Sequence, residues 1–192
     1  DRTSTRAIDR EGGTVLHSSR TNPALLPPER IPDRLRRLHR PPDAAGLSDF
    51  TPEVRAVISA LGLDLLIAIG GDGTLSFARR LAQEGVPLIA VPKTMDNDVP
   101  GTDYCLGFST AVSRAVELIN SLRTVAGSHE RILVVEVFGR RSGEPCLVAA
   151  HLAGADRAVI AEVPFDPDAV ARLLAADRQE NPSHYAVVVV SE

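Results

Sequence analysis

Short apolar runs alternate with amphipathic stretches over most of the chain after position 52. Runs that are apolar at nearly every position predict strands of a buried parallel sheet, and apolar residues at helical spacing predict helices. The predicted strands lie at 63–69, 86–91, 131–138, 158–163 and 186–190. The predicted helices lie at 53–61, 74–84, 110–126, 143–155 and 168–176. This alternation predicts an α/β fold with a doubly wound, mainly parallel sheet that carries helices on both faces.

The segment at 23–52 differs from the rest of the chain because it is rich in proline and arginine. Prolines at this density break helices and cannot serve central strands. We therefore predict a surface insertion, with at most one short helix near 33–39, in a single domain that spans 1–192. Thr51 is the predicted N-cap of the helix that follows. The basic run could meet phosphate, but a solvated charged face is the favoured interpretation.

The composition is that of a globular domain, with 192 residues, 44% hydrophobic and 24% charged. The net charge of −4 gives no general attraction to nucleic acid or to anionic membranes. No apolar run reaches the roughly 20 residues that a membrane-spanning helix needs. Cys105 and Cys146 are too few for a disulfide framework and are expected to be buried apolar residues, which is typical of a cytoplasmic protein.

A glycine-rich acidic turn, Gly-Gly-Asp-Gly-Thr at 70–74, directly follows the first predicted strand. Ligands of doubly wound sheets gather outside the carboxyl ends of the strands. Glycines let the backbone approach a phosphate closely, and a helix that begins here offers free N–H groups. Asp72 is suited to Mg²⁺, which takes oxygen ligands and bridges phosphate oxygens. The alternative interpretation is a tight turn in which Asp72 only caps the helix.

A second acidic turn, Pro-Lys-Thr-Met-Asp-Asn-Asp at 92–98, follows the next predicted strand and holds Lys93, the sole lysine of the chain. Phosphoryl transfer to an alcohol needs a carboxylate that accepts the hydroxyl proton, a metal ion, and positive charge on the phosphoryl oxygens. Turns rich in Asp and Asn are also ordinary loop chemistry. Two acidic turns after successive strands nevertheless favour a functional site.

These motifs resemble those of the phosphofructokinase family. Besides both turns, the matching segments are Gly-Thr-Asp-Tyr at 101–104, Gly-Phe-Ser-Thr-Ala at 107–111, Ser-His-Glu-Arg at 128–131, Val-Glu-Val-Phe-Gly-Arg at 135–140 and, more weakly, Gly-Gly-Thr at 12–14 and Ser-Ser-Arg at 18–20. NAD kinases and lipid kinases share the first turn, but they lack the block at 92–98 and the block at 138–140.

The resemblance implies a Rossmann-like phosphofructokinase fold that is incomplete at both ends. The family begins with a strand and a glycine-rich phosphate loop that this chain lacks before Gly12, and it continues beyond the position of Glu192. We therefore expect a fragment of a longer protein. Any activity is attributed to the parent enzyme, and the fragment by itself need not be active.

On the acceptor side, the resemblance implies that Asp96 is the base that deprotonates the 1-hydroxyl of fructose 6-phosphate. Thr94 and Asp98 are implied to position the sugar and the transferred phosphoryl group. The other implied sugar contacts are Arg131, often supplied across a subunit boundary, the sugar-loop residues Phe138, Gly139 and Arg140, and Glu192. Phe138 stands where the family usually has methionine.

On the donor side, the resemblance implies that Asp72 is the metal-associated carboxylate and that Gly73 lies beside the phosphoryl donor. The other implied donor contacts are Arg20, Gly71, Thr74 and Lys93. Pyrophosphate-dependent members have Asp at the Gly73 position together with Lys at the Lys93 position, whereas many bacterial ATP-dependent members have Gly at both. The Gly73 and Lys93 pair resembles a further ATP-using group. A carboxylate at 73 would add charge and bulk where the α-phosphate of ATP lies, so we expect ATP.

The expected reaction is the glycolytic transfer from MgATP to fructose 6-phosphate, which gives fructose 1,6-bisphosphate. Mg²⁺ is the expected metal, and a homodimer or homotetramer in the cytoplasm is the expected assembly, with no nucleic-acid or membrane partner. Two alternatives stay open. One is the pyrophosphate-dependent version of the transfer, and the other is a truncated, non-catalytic relative that binds phosphosugar or nucleotide.

Overall fold

The computed structural model describes residue 8 and residues 12–15, 17–38 and 40–192. It divides into two compact units. The first contains the described residues up to Leu66 together with Ser76–Leu88, and the second contains Ile67–Leu75 and Ile89–Glu192. None of the described helices has the length and apolar character that crossing a membrane would require.

The first unit begins with irregular chain that is anchored by a few buried residues. A single antiparallel bridge joins Leu26 to Ser48, and both side chains are buried. A 3₁₀ turn at Pro28–Arg30 precedes the short helix α1, Asp33–Arg36, which lies where the sequence predicts a short helix. The prediction that 23–52 is an insertion in a single domain stays a prediction.

Helix α2 runs over Thr51–Ala60, so the prediction of Thr51 as its N-cap is wrong. Thr51 is already the first helical residue, and Phe50 holds the cap position without a side-chain bond. The Asp49 carboxylate accepts the Thr51 N–H at 2.8 Å, which satisfies a backbone donor that an N-cap side chain would otherwise meet.

The remaining elements alternate strand and helix as predicted, except that the unpredicted third strand directly follows the second. The strands are β1 Leu66–Gly70, β2 Leu88–Thr94, β3 Leu106–Gly107, β4 Ile132–Val137, β5 Arg157–Val159 and β6 Ala186–Ser191. The helices are α3 Asp72–Gln83, α4 Phe108–Ser128, α5 Glu144–Ala153 and α6 Pro167–Glu180. The strands form two three-stranded sheets with the orders β1-β2-β3 and β4-β6-β5. The α/β class with parallel pairing is confirmed, although the strands are divided between two sheets.

Strand β6 is the centre of the second sheet, and both of its faces are covered. Successive side chains of a strand point to opposite faces. Val187 and Val189 accordingly pack with residues of α4 and α5, whereas Ala186 and Val188 pack with Leu174 of α6. Helices therefore lie on both sides of this sheet, as the doubly wound prediction requires.

Strands β1 and β4 each bury only one face. Ile67 and Ile69 of β1 are 57% and 55% exposed, and Val134 of β4 is 63% exposed. The prediction that the first strand is buried on both faces is therefore wrong for the described structure, because only alternate residues are packed. In α4, Ile119 is fully buried, whereas Leu118 is 63% exposed, so only part of the apolar surface of this helix meets the core.

Candidate active site

The first acidic turn is mostly the beginning of a helix. Strand β1 ends at Gly70 and α3 begins at Asp72, two residues earlier than predicted. The N–H groups of Thr74 and Leu75 both donate to the Gly71 carbonyl at 3.0 Å. A Cβ on Gly70 would lie 2.5 Å from the Thr74 hydroxyl oxygen, so only glycine fits where the strand passes into the helix.

Gly73 faces open space on the first turn of α3. Apart from the adjoining residues and the backbone of α3 itself, no atom of the residues that the structure describes lies within 4 Å of the position that a Cβ on Gly73 would take. Asp72, Gly73 and Thr74 are all exposed. A ligand can therefore reach the backbone at the start of α3 without displacing protein atoms, and the exposed N–H groups of a helix N-terminus favour an anion.

The second acidic turn is shorter than predicted, because β2 continues through Pro92 and Lys93 to Thr94. Lys93 and Thr94 pair in parallel with Leu106 and Gly107 of β3, a strand that the sequence does not predict. Two residues are too short for a periodic signal. A Cβ on Gly107, whose φ is +103°, would lie 3.6 Å from the Thr94 carbonyl oxygen.

The structure brings the two acidic turns together. The Cβ position at Gly71 lies 3.7 Å from Thr94 Cβ and 3.8 Å from the Lys93 carbonyl oxygen. This contact shows that the carboxyl ends of β1 and β2 are adjacent, at the position where ligands of doubly wound sheets gather. The glycine turn and the end of β2 therefore form one continuous surface.

Asp96 is half-buried, and its backbone N–H donates to the Thr94 hydroxyl at 3.1 Å. Burial raises the pKa of the Asp96 carboxyl, and the nearby carboxylates of Asp98 and Glu192 raise it further. The Arg140 guanidinium opposes this shift. Charged groups from its own turn, from the sugar loop and from the end of β6 therefore act on the Asp96 carboxylate.

The sugar loop and Glu192 meet at the carboxyl end of the second sheet. Residues 137 of β4 and 191 of β6 are paired, and the Glu192 N–H donates to the Val137 carbonyl at 3.0 Å. The side chain of Arg140 forms an ion pair with Glu192, which raises the pKa of the Arg140 guanidinium. At Gly139 φ is +126°, and a Cβ there would lie 2.2 Å from the Ser142 carbonyl oxygen.

A cavity of about 720 Å³ adjoins these groups and is mainly apolar. Its lining includes Met95 from the second turn and Leu118 from the exposed face of α4. Phe138 and Glu192, which directly follow β4 and β6, complete the lining. Phe138 is itself half exposed. Phe138 therefore contributes to an apolar wall beside Gly139 and Arg140 of the sugar loop.

Comparison with known proteins decides the family. The family model described as Phosphofructokinase matches residues 1–192. The chain belongs to the phosphofructokinase family. An ATP-dependent 6-phosphofructokinase 3 of Streptomyces coelicolor is 39% identical over 181 residues, which cover 94% of this chain and 47% of the relative. A pyrophosphate–fructose 6-phosphate 1-phosphotransferase of Amycolatopsis methanolica is also 39% identical over 181 residues, 94% of this chain and 46% of the relative.

The chain spans about half the length of the curated relatives it matches, with 47%, 48% and 46% for three of them. Among solved structures, Pichia pastoris phosphofructokinase in the T-state superposes with a TM-score of 0.65 at 25% identity and covers 75% of this chain and 18% of that one. Equal identity to an ATP-dependent and a pyrophosphate-dependent relative means that overall similarity does not select the donor.

Arg131, which the phosphofructokinase resemblance implies to contact the sugar phosphate, is not brought to this site. Arg131 directly precedes β4, whereas the sugar loop follows it. The six residues of β4 separate these ends by roughly 20 Å, because a parallel strand rises about 3.3 Å per residue. Arg20 belongs to the first unit, where it is exposed.

Three residues of this phosphofructokinase site have no role in the sequence-based account. Asn97 lies inside the second turn and hydrogen-bonds to Glu144, which is the first residue of α5. Glu162 accepts the Gly143 N–H at 2.7 Å, at the far end of the sugar loop. The sequence does carry a signal for Asn97, because this amide stands between the carboxylates of Asp96 and Asp98. Glu162 gives no signal, because its partner lies 19 positions away.

The donor set on the glycine turn fits a magnesium ion that arrives with a phosphate. Asp72 is the carboxylate of this turn, and within the part of the chain that the structure describes no group of three or more His, Cys, Asp or Glu residues could hold a metal. Mg²⁺ characteristically uses one or two carboxylates together with water and phosphate oxygens rather than a cage of protein ligands. Asp72 suits that kind of site.

Proposed function

We propose that the longer protein to which this chain belongs transfers the γ-phosphoryl group of MgATP to the 1-hydroxyl of fructose 6-phosphate. This is the glycolytic step that yields fructose 1,6-bisphosphate, and we place it in the cytoplasm. The observation that carries the proposal is the half-buried Asp96 carboxylate, which lies just beyond the end of β2 that contacts Gly71 of the glycine turn. Family membership supplies the reaction class.

In the proposed transfer, the 1-hydroxyl oxygen of the sugar forms a bond to the γ-phosphorus while the bond from that phosphorus to the leaving oxygen of ADP breaks. Asp96 accepts the hydroxyl proton. Its raised pKa supports this role, because a base works best when its pKa lies near the operating pH. Thr94 accepts the Asp96 N–H, and with Asp98 it would position the sugar and the phosphoryl group.

The acceptor sugar would bind where Arg140 and Glu192 now pair with each other. Glu192 would accept hydrogen bonds from sugar hydroxyls, and the guanidinium of Arg140 would donate to sugar or phosphate oxygens. Phe138 and Gly139 would line the same site beside the sugar. Competition between the sugar and the ion pair would release Arg140 toward the substrate when the site fills.

The donor would lie on the glycine turn, with its phosphates beside Gly71, Gly73 and Thr74 at the start of α3. Mg²⁺ would be held by Asp72 and the phosphate oxygens, and when bound it neutralises charge on the transferred group. Lys93 adds a positive charge at the end of β2. The open space at Gly73 supports ATP, because nothing there obstructs an α-phosphate. Arg20 stays a proposed contact that rests on the resemblance alone.

Arg131 would complete the site of a second copy of the chain. Its position at the opposite edge of the sheet from the sugar loop supports this, since β4 separates the two. In the proposed homodimer or homotetramer, each copy would lend Arg131 to the 6-phosphate of a neighbouring site.

The pyrophosphate-dependent transfer is the second candidate. Lys93 and the similarity to the Amycolatopsis methanolica enzyme favour it. Glycine at position 73 favours ATP instead, because the pyrophosphate-dependent members described above have Asp there. A non-catalytic relative is disfavoured by the presence of both Asp72 and Asp96.

The test is a coupled assay for fructose 1,6-bisphosphate with the full-length protein, supplied with either ATP or pyrophosphate. We expect turnover with ATP, and a loss of kcat of at least about 100-fold in Asp96→Asn because the general base is removed. Asp168→Asn, exposed on the first turn of α6, is the control and should keep wild-type activity. Turnover with pyrophosphate alone would select the second candidate, and no turnover with either donor would refute both.

A further inference from the structure

We propose that Asn97 is a positioning residue that holds the carboxylates of Asp96 and Asp98 in place for phosphoryl transfer. The proposal rests on the function proposed above. It adds a residue whose side chain does no chemistry itself but fixes the turn that carries the base.

The backbone of Asn97 lies in the left-handed region, with φ at +55°. Few residues other than glycine adopt this conformation without strain, and asparagine is among those that tolerate it best. Asn97 stands between Asp96 and Asp98, so its backbone dihedrals set the directions in which the two neighbouring side chains leave the turn.

The side chain of Asn97 makes three hydrogen bonds. Its Oδ1 accepts the Cys105 N–H at 2.8 Å, and its Nδ2 donates to the Asp103 carbonyl at 3.1 Å. Nδ2 also donates to Glu144 Oε2 at 3.1 Å. An amide has two N–H donors, and both are engaged by acceptors here. The partners fix which end of the amide is oxygen, because a backbone N–H must meet an acceptor.

These bonds join two parts of the acceptor site. Cys105 and Asp103 belong to the chain that returns from the second turn to β3, so Asn97 closes the loop at 95–105 upon itself. Glu144 begins α5, directly after the sugar loop. The chain between the sugar loop and α5 is anchored at this point, because the Gly143 N–H donates to the Glu162 carboxylate. Asn97 therefore ties the base-bearing turn to the element that follows the sugar-binding residues.

Only an amide satisfies this set of partners. An aspartate at this position has the same shape and could still accept the Cys105 N–H. It would, however, place a carboxylate against the Asp103 carbonyl and the Glu144 carboxylate, which is repulsive. It would also add a third carboxylate between Asp96 and Asp98.

The test compares variants of the full-length protein that separate backbone strain from hydrogen bonding. Asn97→Gly keeps the left-handed conformation but loses all three bonds, and Asn97→Asp keeps the shape but loses both donors. His184→Gly is the matched control, because His184 has a φ of +52° outside the site. Its own backbone forms the hydrogen bonds, since its N–H donates to the Asn181 carbonyl and its carbonyl accepts from Arg178 Nε, so glycine keeps both. Glu144→Ala and Glu144→Gln form a second pair, in which only the glutamine keeps an acceptor.

We expect kcat/KM for fructose 6-phosphate to fall about 10- to 100-fold in Asn97→Gly and Asn97→Asp, since small displacements of a catalytic group have effects of this size. Hydrogen–deuterium exchange of the peptide at 95–106 should accelerate in both. His184→Gly should change neither quantity. Glu144→Ala should lose several-fold in kcat/KM, and Glu144→Gln should recover most of it.

Three results would overturn the inference. The first is Asn97→Gly activity within about twofold of the His184→Gly control, an effect too small for lost positioning. The second is unchanged exchange at 95–106, and the third is equal activity of Glu144→Ala and Glu144→Gln. If the wild-type protein does not phosphorylate fructose 6-phosphate, the proposed function fails. Hydrogen–deuterium exchange at 95–106 then decides by itself whether Asn97 holds the turn. Faster exchange at 95–106 in Asn97→Gly would still support Asn97 as the residue that holds the turn.

Discussion

The two acidic turns lie side by side but are built in different ways. The donor turn at 70–74 depends on backbone, with two N–H groups bonded to the Gly71 carbonyl and open space at Gly73. The acceptor turn is fixed by side chains, with Thr94 bonded to the Asp96 N–H and Asn97 bonded to three partners. The difference suggests that donor choice can vary without disturbing the protein, whereas the acceptor side tolerates little change.

The glycines of the two sides should therefore respond in opposite ways to alanine. In Gly139→Ala, the new Cβ meets the Ser142 carbonyl at 2.2 Å in a backbone region that alanine avoids. We expect a loss of about 2 kcal/mol or more in the free energy of unfolding, together with weaker binding of fructose 6-phosphate. Gly73→Ala should instead stabilise the first turn of α3 by up to about 1 kcal/mol.

Urea denaturation of the full-length variants measures both free energies. Equal destabilisation by the two substitutions would remove the contrast between an open donor turn and a tightly folded sugar loop.

Donor choice is the next largest expected effect. Gly73→Asp places a carboxylate where the α-phosphate of ATP is proposed to lie, so kcat/KM for ATP should fall by roughly 100-fold through charge repulsion. Use of pyrophosphate should fall far less. The free energy of unfolding should stay within about 0.5 kcal/mol of the wild-type value, because, apart from its chain neighbours, no side chain among the described residues lies within 4 Å of a Cβ at position 73. Gly73→Ala controls for bulk. An equal loss of kcat/KM with ATP and with pyrophosphate would show that position 73 does not select the donor.

Arg131 tests whether the acceptor side is completed by a second copy. Arg131→Ala and Asp96→Asn should each be nearly inactive alone. If both are unfolded and refolded together, mixed oligomers should recover up to about a quarter of wild-type activity, since a random two-fold dimer would contain one intact site in half of its molecules. If the mixture recovers no more activity than the separately refolded variants, Arg131 does not serve the site of a neighbouring copy.

The smallest expected effect is on pH dependence. Asp96 must be ionised to accept a proton, so activity is lost as the pH falls through its raised pKa. Glu192→Gln removes a neighbouring negative charge and frees Arg140, and both changes lower the pKa of Asp96 and move the acid limb to lower pH. Arg140→Met should move that limb to higher pH. The two variants are compared by their pH profiles of kcat/KM. If both acid limbs move in the same direction, or if neither moves, the proposed charge coupling is excluded.

The sequence predicts the α/β class and the order of the main elements because long apolar runs and helical periodicity carry strong signals. Helix α4, Phe108–Ser128, lies close to its predicted range of 110–126. The two-residue strand β3 escapes prediction because two residues show no periodicity. It matters for the site, because its pairing draws Lys93 and Thr94 out of the turn and into β2.

The site is predicted best where a motif is local. Asp72 and Asp96 are found from short segments, and the structure confirms that their turns are adjacent. The Arg140–Glu192 ion pair depends on β4 and β6 being neighbours, which no local pattern reveals. The separation of Arg131 from the sugar loop likewise depends on the direction of β4. The roles given to these residues stay predictions until substrates are bound.

The most direct test of the central claim is single-turnover phosphoryl transfer by the full-length Asp96→Asn variant, with the affinity for fructose 6-phosphate measured separately by calorimetry. We predict that the rate of transfer falls about 1,000-fold, because general base catalysis is lost. The dissociation constant of the sugar should change by less than about tenfold, because the amide keeps the shape of the turn and the neighbouring contacts. A transfer rate close to wild type would contradict the assignment of Asp96 as the base.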